Sequence, residues 1–342
     1  MKGSGRVLRV AVWGMGRHAM TKIVPAIAVS DRVQIYGVCS RNAENVALTA
    51  STWGCRGWIE ADDMLSDRAV DVVYVATPIG LHAEHGKRVL MSGKHLWCEK
   101  PLAATVAAAL DLLEISRQRR LAVCEGHMYL YHPQFRRLKD YLSDGRIGRV
   151  RSITCRFGIP HMADPGFRTD ATLGGGALLD VGCYPVSAIH ALFPRDRHDV
   201  RYSVVSLRDG SGVDTDGYAV LQLSSGAVAL LEWRTDTAYR NEIDVWGTEA
   251  SLFTDKIFSK LPTYAPVFRF RDNHGVETTE QTEPADHFVR MLEAFAELVE
   301  DESGLESERR SIAQRAETIQ EIQARALSVP VARSADVVSR SS

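Results

Sequence analysis

From Leu8 to about Cys124, short apolar runs alternate with stretches of helical length, and this alternation limits the chain's folds more than any other feature. Leu8 to Trp13, Val33 to Val38, Val70 to Ala76, His95 to Cys98 and Leu121 to Cys124 read as strands, and Ala19 to Val29, Leu81 to Met91 and Thr105 to Arg119 as helices. A strand followed by a crossover helix lays the next strand parallel to the first, which predicts a doubly wound parallel sheet with helices on both faces.

After Glu125 the texture changes. Val150 to Phe157, Val200 to Leu207, Gly217 to Leu223, Val228 to Arg234 and Asn241 to Trp246 alternate or carry β-branched residues, and turn residues such as Ser224-Ser225-Gly226 separate them. They predict a large, mostly antiparallel open sheet. Helices are expected at Gly176 to Leu192 and at Asp286 to Glu300. A last helix, about Glu306 to Leu327, has Ile312, Ala316, Ile319 and Ile322 on one stripe. The chain is therefore α/β: an N-terminal doubly wound domain over residues 1–125, a second α/β domain over 126–305, and a C-terminal helix over 306–328 packing back on the body. A polar tail follows Pro330.

Among 342 residues, 41 Lys+Arg against 43 Asp+Glu leave a formal charge of −2, too balanced for a protein that neutralises phosphate backbones, so no nucleic-acid partner is expected. No run approaches the ~18 apolar residues of a membrane span, and Met1 to Arg6 is too short and polar for a secretory signal. The six cysteines stand singly, without the Cys-x-x-Cys spacing of zinc or redox pairs. No metal is expected, and a reducing cytoplasm fits the cysteine usage.

The first strand runs directly into Gly14-Met15-Gly16-Arg17-His18-Ala19 at the start of a helix. In such a Gly-x-Gly-x-x-Ala turn the first glycine permits the tight bend, the second lets a pyrophosphate approach the backbone, and the small third residue brings helix and sheet close. Free amides and the positive helix end then face the phosphates. NAD-preferring sites carry an acid at the end of the second strand for the ribose 2′-hydroxyl. Here stand Cys39-Ser40-Arg41-Asn42; the Ser40 hydroxyl and Arg41 guanidinium suit a 2′-phosphate. NADP(H) is predicted over NAD(H), with NAD(H) as the alternative. Lys100, in Glu99-Lys100-Pro101 after the strand His95 to Cys98, points from a strand's carboxyl end toward the nicotinamide.

Taken in order, Gly14-x-Gly16-x-x-Ala19, Ala76-Thr77-Pro78 with His82, Glu99-Lys100-Pro101, and Gly174-Gly175-Gly176-Ala177-Leu178-Leu179-Asp180-Val181-Gly182-Cys183-Tyr184 resemble the glucose-fructose oxidoreductase / inositol dehydrogenase / rhizopine-catabolism (Gfo/Idh/MocA) family. The resemblance implies a nicotinamide-dependent oxidoreductase with a Rossmann domain, an α/β domain whose open sheet helps build a homodimer or homotetramer, and an active site between them. It implies cofactor contacts from Met15, Arg17 and His18 in the turn. It adds Thr77, Pro78, His82, Glu99 and Lys100 from later loops.

Lys100 matches the family's lysine beside the nicotinamide and the substrate oxygen. Tyr184 stands where members carry the proton donor or acceptor, and Asp180 orients Lys100 or a substrate hydroxyl. A phenol with a pKa near ~10 is a poor base at neutral pH, and a nearby ammonium would favour its charged form. In reduction Tyr184 would protonate the oxygen while Lys100 stabilises its charge.

Glu125 to Gln134, with Leu130 where many sugar dehydrogenases have arginine, together with Phe157 to Pro160 and Tyr239 to Glu242, resembles ketoreductases acting on the 3-keto group of nucleotide-linked deoxysugars. Gly126-His127 departs from that pattern. Arg168 and Arg240 are candidate substrate contacts, for a diphosphate or dense hydroxyls, or else structural ion-pair partners. His82, His132, His161 and His190 lack metal-ligand spacing and read as structural; Trp97, Trp233 and Trp246 read as packing residues. The alternatives are a dehydrogenase of free sugars or trans-dihydrodiols, and a non-catalytic cofactor-binding regulator.

Overall fold

A computed structural model describes residues 6–208 and 211–330. Met1 to Gly5 and the tail after Pro330 lie outside the described residues. The first half forms β1 (Leu8–Trp13), β2 (Val33–Cys39), β3 (Arg56–Trp58), β4 (Val72–Val75), β5 (His95–Cys98) and β6 (Val123–Glu125). These make a parallel six-stranded sheet in the order β3-β2-β1-β4-β5-β6. The crossovers are a π-turn (Ala19–Ile23) continued by α1 (Val24–Val29), then α2 (Ala43–Trp53), α3 (Ala61–Ser66), α4 (His82–Met91) and α5 (Val106–Arg119). Helices cover both faces, so the central strands are apolar throughout: Val10 to Val12 and Val72 to Val75 are fully buried.

The five expected strands are present, with ends shifted by up to two residues, whereas β3, α2 and α3 had no counterpart in the sequence reading. The reason is physical. β3 is a three-residue edge strand, and α2 buries only Val46 and Thr49.

The second half is built on β7 (Val150–Gly158), β8 (His198–Leu207), β9 (Asp214–Leu223), β10 (Val228–Arg234), β11 (Arg240–Gly247), β12 (Ala250–Asp255), β13 (Val267–Asp272), β14 (Glu277–Gln281) and β15 (Ala326–Pro330). Their order is β14-β13-β12-β11-β7-β10-β9-β8-β15. Only β7–β10 and β8–β15 pair parallel. With these run α6 (Pro133–Ser143), α7 (Cys183–Leu192), α8 (His287–Leu298) and α9 (Glu302–Arg325). One face of the sheet packs on α7, which is buried on nearly every side, and the other carries exposed Tyr202, Tyr218, Leu230 and Trp246.

Two expectations need correction. The last helix begins at Glu302 and ends at Arg325, and Leu327 belongs to β15, whose alternating residues pair with β8 beginning at Ala326 beside Ser203. Trp246 is not a packing residue: it is 68% exposed on the open sheet face. Trp97 and Trp233 are fully buried.

Candidate active site

Strand order reverses around β1 and β4, where α/β sheets gather ligands at the strands' carboxyl ends. β1 leads into Gly14, whose φ of +106° and approach to the Ala76 backbone, 2.7 Å from an added Cβ, admit glycine alone. Gly16 is different: a Cβ there meets nothing within 4 Å. That open room in front of a helix start, with Arg17 exposed beside it, fits a dinucleotide pyrophosphate.

Met15 is half-buried, and the His18 ring reaches Glu99, Nε2 to Oε1 3.1 Å. At the end of β2, Ser40 Oγ accepts the Asn42 amide, Asn42 caps α2, and Arg41 is exposed without an ion pair among the described residues. The exposed Arg41 guanidinium there suits a 2′-phosphate better than a bare ribose.

After β4, Thr77 Oγ1 lies 3.0 Å from His85 Nδ1, and Pro78 leads into a short 3-10 turn. His82 corrects the expectation of a cofactor contact. It is buried, with Nδ1 2.8 Å from the Pro101 carbonyl and Nε2 2.8 Å from the Thr77 carbonyl. No ring nitrogen is left for a ligand, and the residue ties two site loops together. Glu99 also faces inward, accepting the Tyr74 hydroxyl at 2.7 Å. Burial alone would raise its carboxyl, but His18, Tyr74 and Lys100 hold it at about 2.

Lys100 meets the second half at the segment Leu178–Gly182, a π-turn that continues into α7. π-turns interrupt the regular helical ladder and recur at functional sites. Lys100 Nζ donates to the Asp180 carbonyl at 2.6 Å and to its Oδ1 at 3.0 Å. It also sits 4.9 Å from the centre of the Tyr184 ring. The other Asp180 oxygen accepts from Arg168 Nε at 2.6 Å. Burial favours neutral forms of the pair, yet Lys100 and Arg168 hold Asp180 at about 2 and Asp180 keeps Lys100 charged above its ordinary range. The cluster of two cations and one carboxylate retains a net positive charge.

Tyr184 is 7% exposed, between Phe157, Phe258 and His127, and among the described residues its hydroxyl has only the Met128 thioether as partner, at 3.8 Å. The expectation that Lys100 would favour an ionised phenol is corrected in magnitude. Burial pushes Tyr184 up by more than the ammonium lowers it. The phenol remains protonated and free to donate.

The sequence thus named Lys100, Asp180 and Tyr184, and the fold joins them across about 80 residues. Arg168 joins them through Asp180. Arg240 does not. It lies on the open sheet face, 60% exposed, and pairs with Glu242 at 3.0 Å.

A cleft of about 130 Å³ reaches Arg168 and Asp180, lined further by Asp214, Arg208 and His161. A larger one, about 860 Å³, lies at the opposite ends of the parallel strands, near Lys94 and Asp71, away from Lys100. Asp214, which sequence reasoning missed, accepts from the Leu178 amide at 2.7 Å and from Trp233 Nε1 at 3.2 Å, anchoring the π-turn. Nothing in its local sequence signals this. His132 Nδ1 accepts the Gln134 amide, His190 Nε2 lies 2.9 Å from Thr318 Oγ1 on α9, His161 pairs with Asp236 at the surface, and no metal-binding cluster exists among the described residues.

Residues 8–127 match the oxidoreductase family with an NAD-binding Rossmann fold, and residues 135–253 match the Gfo/Idh/MocA C-terminal domain. A dTDP-3,4-didehydro-2,6-dideoxy-α-D-glucose 3-reductase from Streptomyces violaceoruber is 35% identical over 296 residues, 86% of each chain. An NADP(+)-dependent D-xylose 1-dehydrogenase from Haloferax volcanii is 32% identical, over 84% of this chain and 88% of that one. A crystal structure of a 3-ketoreductase from Actinomadura kijaniata with NADP and TDP-benzene superposes with a TM-score of 0.91 at 28% identity, covering 96% of this chain and 100% of that one. The chain belongs to the Gfo/Idh/MocA oxidoreductase family.

Proposed function

We propose that the chain is an NADP(H)-dependent ketoreductase that reduces the 3-keto group of a nucleotide-linked deoxysugar. The observation that carries this reading is the Lys100 ammonium held on Asp180 and over the Tyr184 ring. The 3-reductase and 3-ketoreductase relatives supply the substrate class. Gly14, Gly16 and the neighbouring amides would hold the pyrophosphate, Ser40 and Arg41 the 2′-phosphate, and Lys100 and Glu99 would stand at the nicotinamide end. When bound, the dinucleotide supplies the hydride for the carbonyl carbon.

The chain's own residues do the rest. Tyr184 donates its hydroxyl proton to the ketone oxygen, and Lys100 stabilises the negative charge growing there. Asp180 fixes the ammonium, and Arg168 keeps the cluster positive so that Asp180 does not cancel Lys100. Arg168 also borders the cleft where the rest of the substrate would lie.

Incubation with NADPH and a panel of nucleotide-linked and free keto sugars, followed by loss of NADPH absorbance, tests the reading. Turnover is expected first with nucleotide-linked 3-keto sugars. Consumption only with free sugars would favour the second reading, a free-sugar dehydrogenase, for which the D-xylose dehydrogenase relative speaks. No consumption with any carbonyl would leave a non-catalytic cofactor-binding regulator.

The proposal places the enzyme in the cytoplasm, where its six free cysteines stay reduced. No helix among the described residues is long and apolar enough to cross a membrane. Self-association as a homodimer or homotetramer through the open sheet face completes the reading.

A further inference from the structure

Lys100 lies in a loop, and a loop alone does not hold an ammonium to a fraction of an ångström. The Pro101 carbonyl is held by His82 Nδ1 at 2.8 Å, and the Leu102 amide, two residues beyond Lys100, donates to Glu125 Oε1 at 2.6 Å. Glu125 ends β6 and is 4% exposed. Its other oxygen accepts from Arg315 Nε at 2.8 Å, across 190 residues of chain. His127 Nε2 lies 3.4 Å from that same oxygen, and the His127 ring stands edge-on to Tyr184 with 5.5 Å between centres. Glu125 is thus a junction: one contact leads to the Lys100 loop, another to the wall behind Tyr184, and a third to α9.

A buried carboxylate without a counter-ion is costly and tends to take up a proton or move toward water. Glu125 keeps its charge, and so its strong acceptor for the Leu102 amide, because Arg315 balances it. Arg315 has one further acid partner, Glu308, at 3.1 Å. Its place in the sequence agrees: between Ile312 and Ile319, on the apolar stripe of α9, a guanidinium has no packing purpose.

We infer that Arg315 is a positioning residue for Lys100: through Glu125 it fixes the Leu102 amide and hence the ammonium that meets Asp180 and Tyr184. This makes the C-terminal helix part of the catalytic apparatus, and it rests on the role given to Lys100 above.

The test compares Arg315→Met, Arg315→Lys and Glu125→Gln in the full chain, measuring kcat, KM, NADPH binding by fluorescence, and Tm. Misplacing a reacting group by about 1 Å costs up to ~100-fold, so Arg315→Met and Glu125→Gln should lower kcat by ~10–100-fold while NADPH affinity changes by less than ~3-fold. Arg315→Lys, which restores the charge but not the planar fork, should recover part of the loss. If the Arg315 and Glu125 variants lose stability but keep kcat, or if Arg315→Lys recovers none of the loss, the inference is overturned. Should Arg315→Met fail to fold, Arg315→Lys and the isosteric Glu125→Gln decide on the same criteria. Lys100→Ala separates the two levels. Full turnover in that variant removes the catalytic role itself, whereas an inactive Lys100→Ala beside fully active Arg315 variants removes only the positioning.

Discussion

At the scale of single residues, the site is a problem of keeping charges in the right form away from water. Tyr184 needs its proton for reduction, and burial supplies that by raising the phenol above its ordinary range despite Lys100. The donor form is present below the raised pKa and lost above it. Reduction should therefore show no titration from Tyr184 or Lys100 between about pH 6 and 9, while oxidation, which needs the phenolate, should accelerate as pH rises through that window. A pH–rate profile in each direction checks both halves, and a reductive rate that falls steeply by pH 8 would count against Tyr184 as donor.

Tyr184→Phe keeps the ring and removes the proton, with an expected loss of ~10²–10⁴-fold in kcat, the usual worth of a general acid. Asp180 stays ionised throughout. Held at about 2, its stabilising pairs are complete above the ordinary carboxylate range and are lost only as pH falls through about 2.

Lys100 and Tyr184 were legible because each lies in a recognisable local motif. Asp214, Glu125 and Arg315 were not, because their meaning depends on partners 23 to 190 residues away: Leu178 for Asp214, and Leu102 and Arg315 for Glu125. Arg240 misled for the converse reason. A cation beside a family-like segment says nothing about which face of its strand it occupies, and here Glu242 holds it on the face away from Tyr184.

At the scale of elements, the turn between β1 and the first helix separates folding from binding within three residues. Gly14→Ala places a Cβ 2.7 Å from the Ala76 backbone at positive φ, so it should lower Tm by several degrees. At Gly16 an added Cβ meets no protein atom within 4 Å, so Gly16→Val should leave Tm near that of the wild type, yet weaken NADPH by more than ~10-fold by filling the pyrophosphate's room. Thermal melts with and without NADPH separate the two. Equal NADPH stabilisation of wild type and Gly16→Val would mean that the dinucleotide lies elsewhere.

At the end of β2, Arg41→Ala removes one charge-assisted contact, worth ~1.5–3 kcal/mol. NADPH should bind ~10–100-fold more weakly while NADH is unaffected, as titration of both cofactors would show. Most elements with a strong period or an apolar run were legible, though α6, with Phe135, Leu138 and Tyr141 at helical spacing, and the alternating β13 were not named. β14, Glu277–Gln281, has no apolar residue at all and exists only because β13 offers it a partner, and β15 is five residues directly after a long helix. Such strands are made by tertiary pairing, which no local pattern carries.

At the scale of the whole molecule, the division into a parallel sheet followed by a mixed one could be read from the change of texture near Glu125, but the use of the second sheet's two faces could not. Alternation states that one face is buried without saying what meets the other. In the folded chain α7 takes one face, and the other presents Tyr202, Tyr218, Leu230 and Trp246, between 40% and 68% exposed. Pairing sets these on one side: Leu230 faces Val220, which faces Tyr202, and Trp246 faces Ser152 two strands away from Leu230. Among them run Arg156 with Glu232 and Glu242, a mixture of both signs. Large aromatic and aliphatic side chains this exposed on one sheet face suit an interface, and a face carrying both charges can pair with its own copy about a two-fold axis.

The proposed self-association would use this face, and Tyr218→Arg combined with Leu230→Asp should then reduce the mass measured by light scattering. Because α7 carries Tyr184 on the opposite side of the sheet, kcat of the dissociated variant should stay within ~3-fold of wild type, since surface changes away from the reacting groups leave their geometry intact. An unchanged mass would place the contact on another surface. A monomer that had lost activity would instead mean that the second copy props the sheet against which the tyrosine helix is packed.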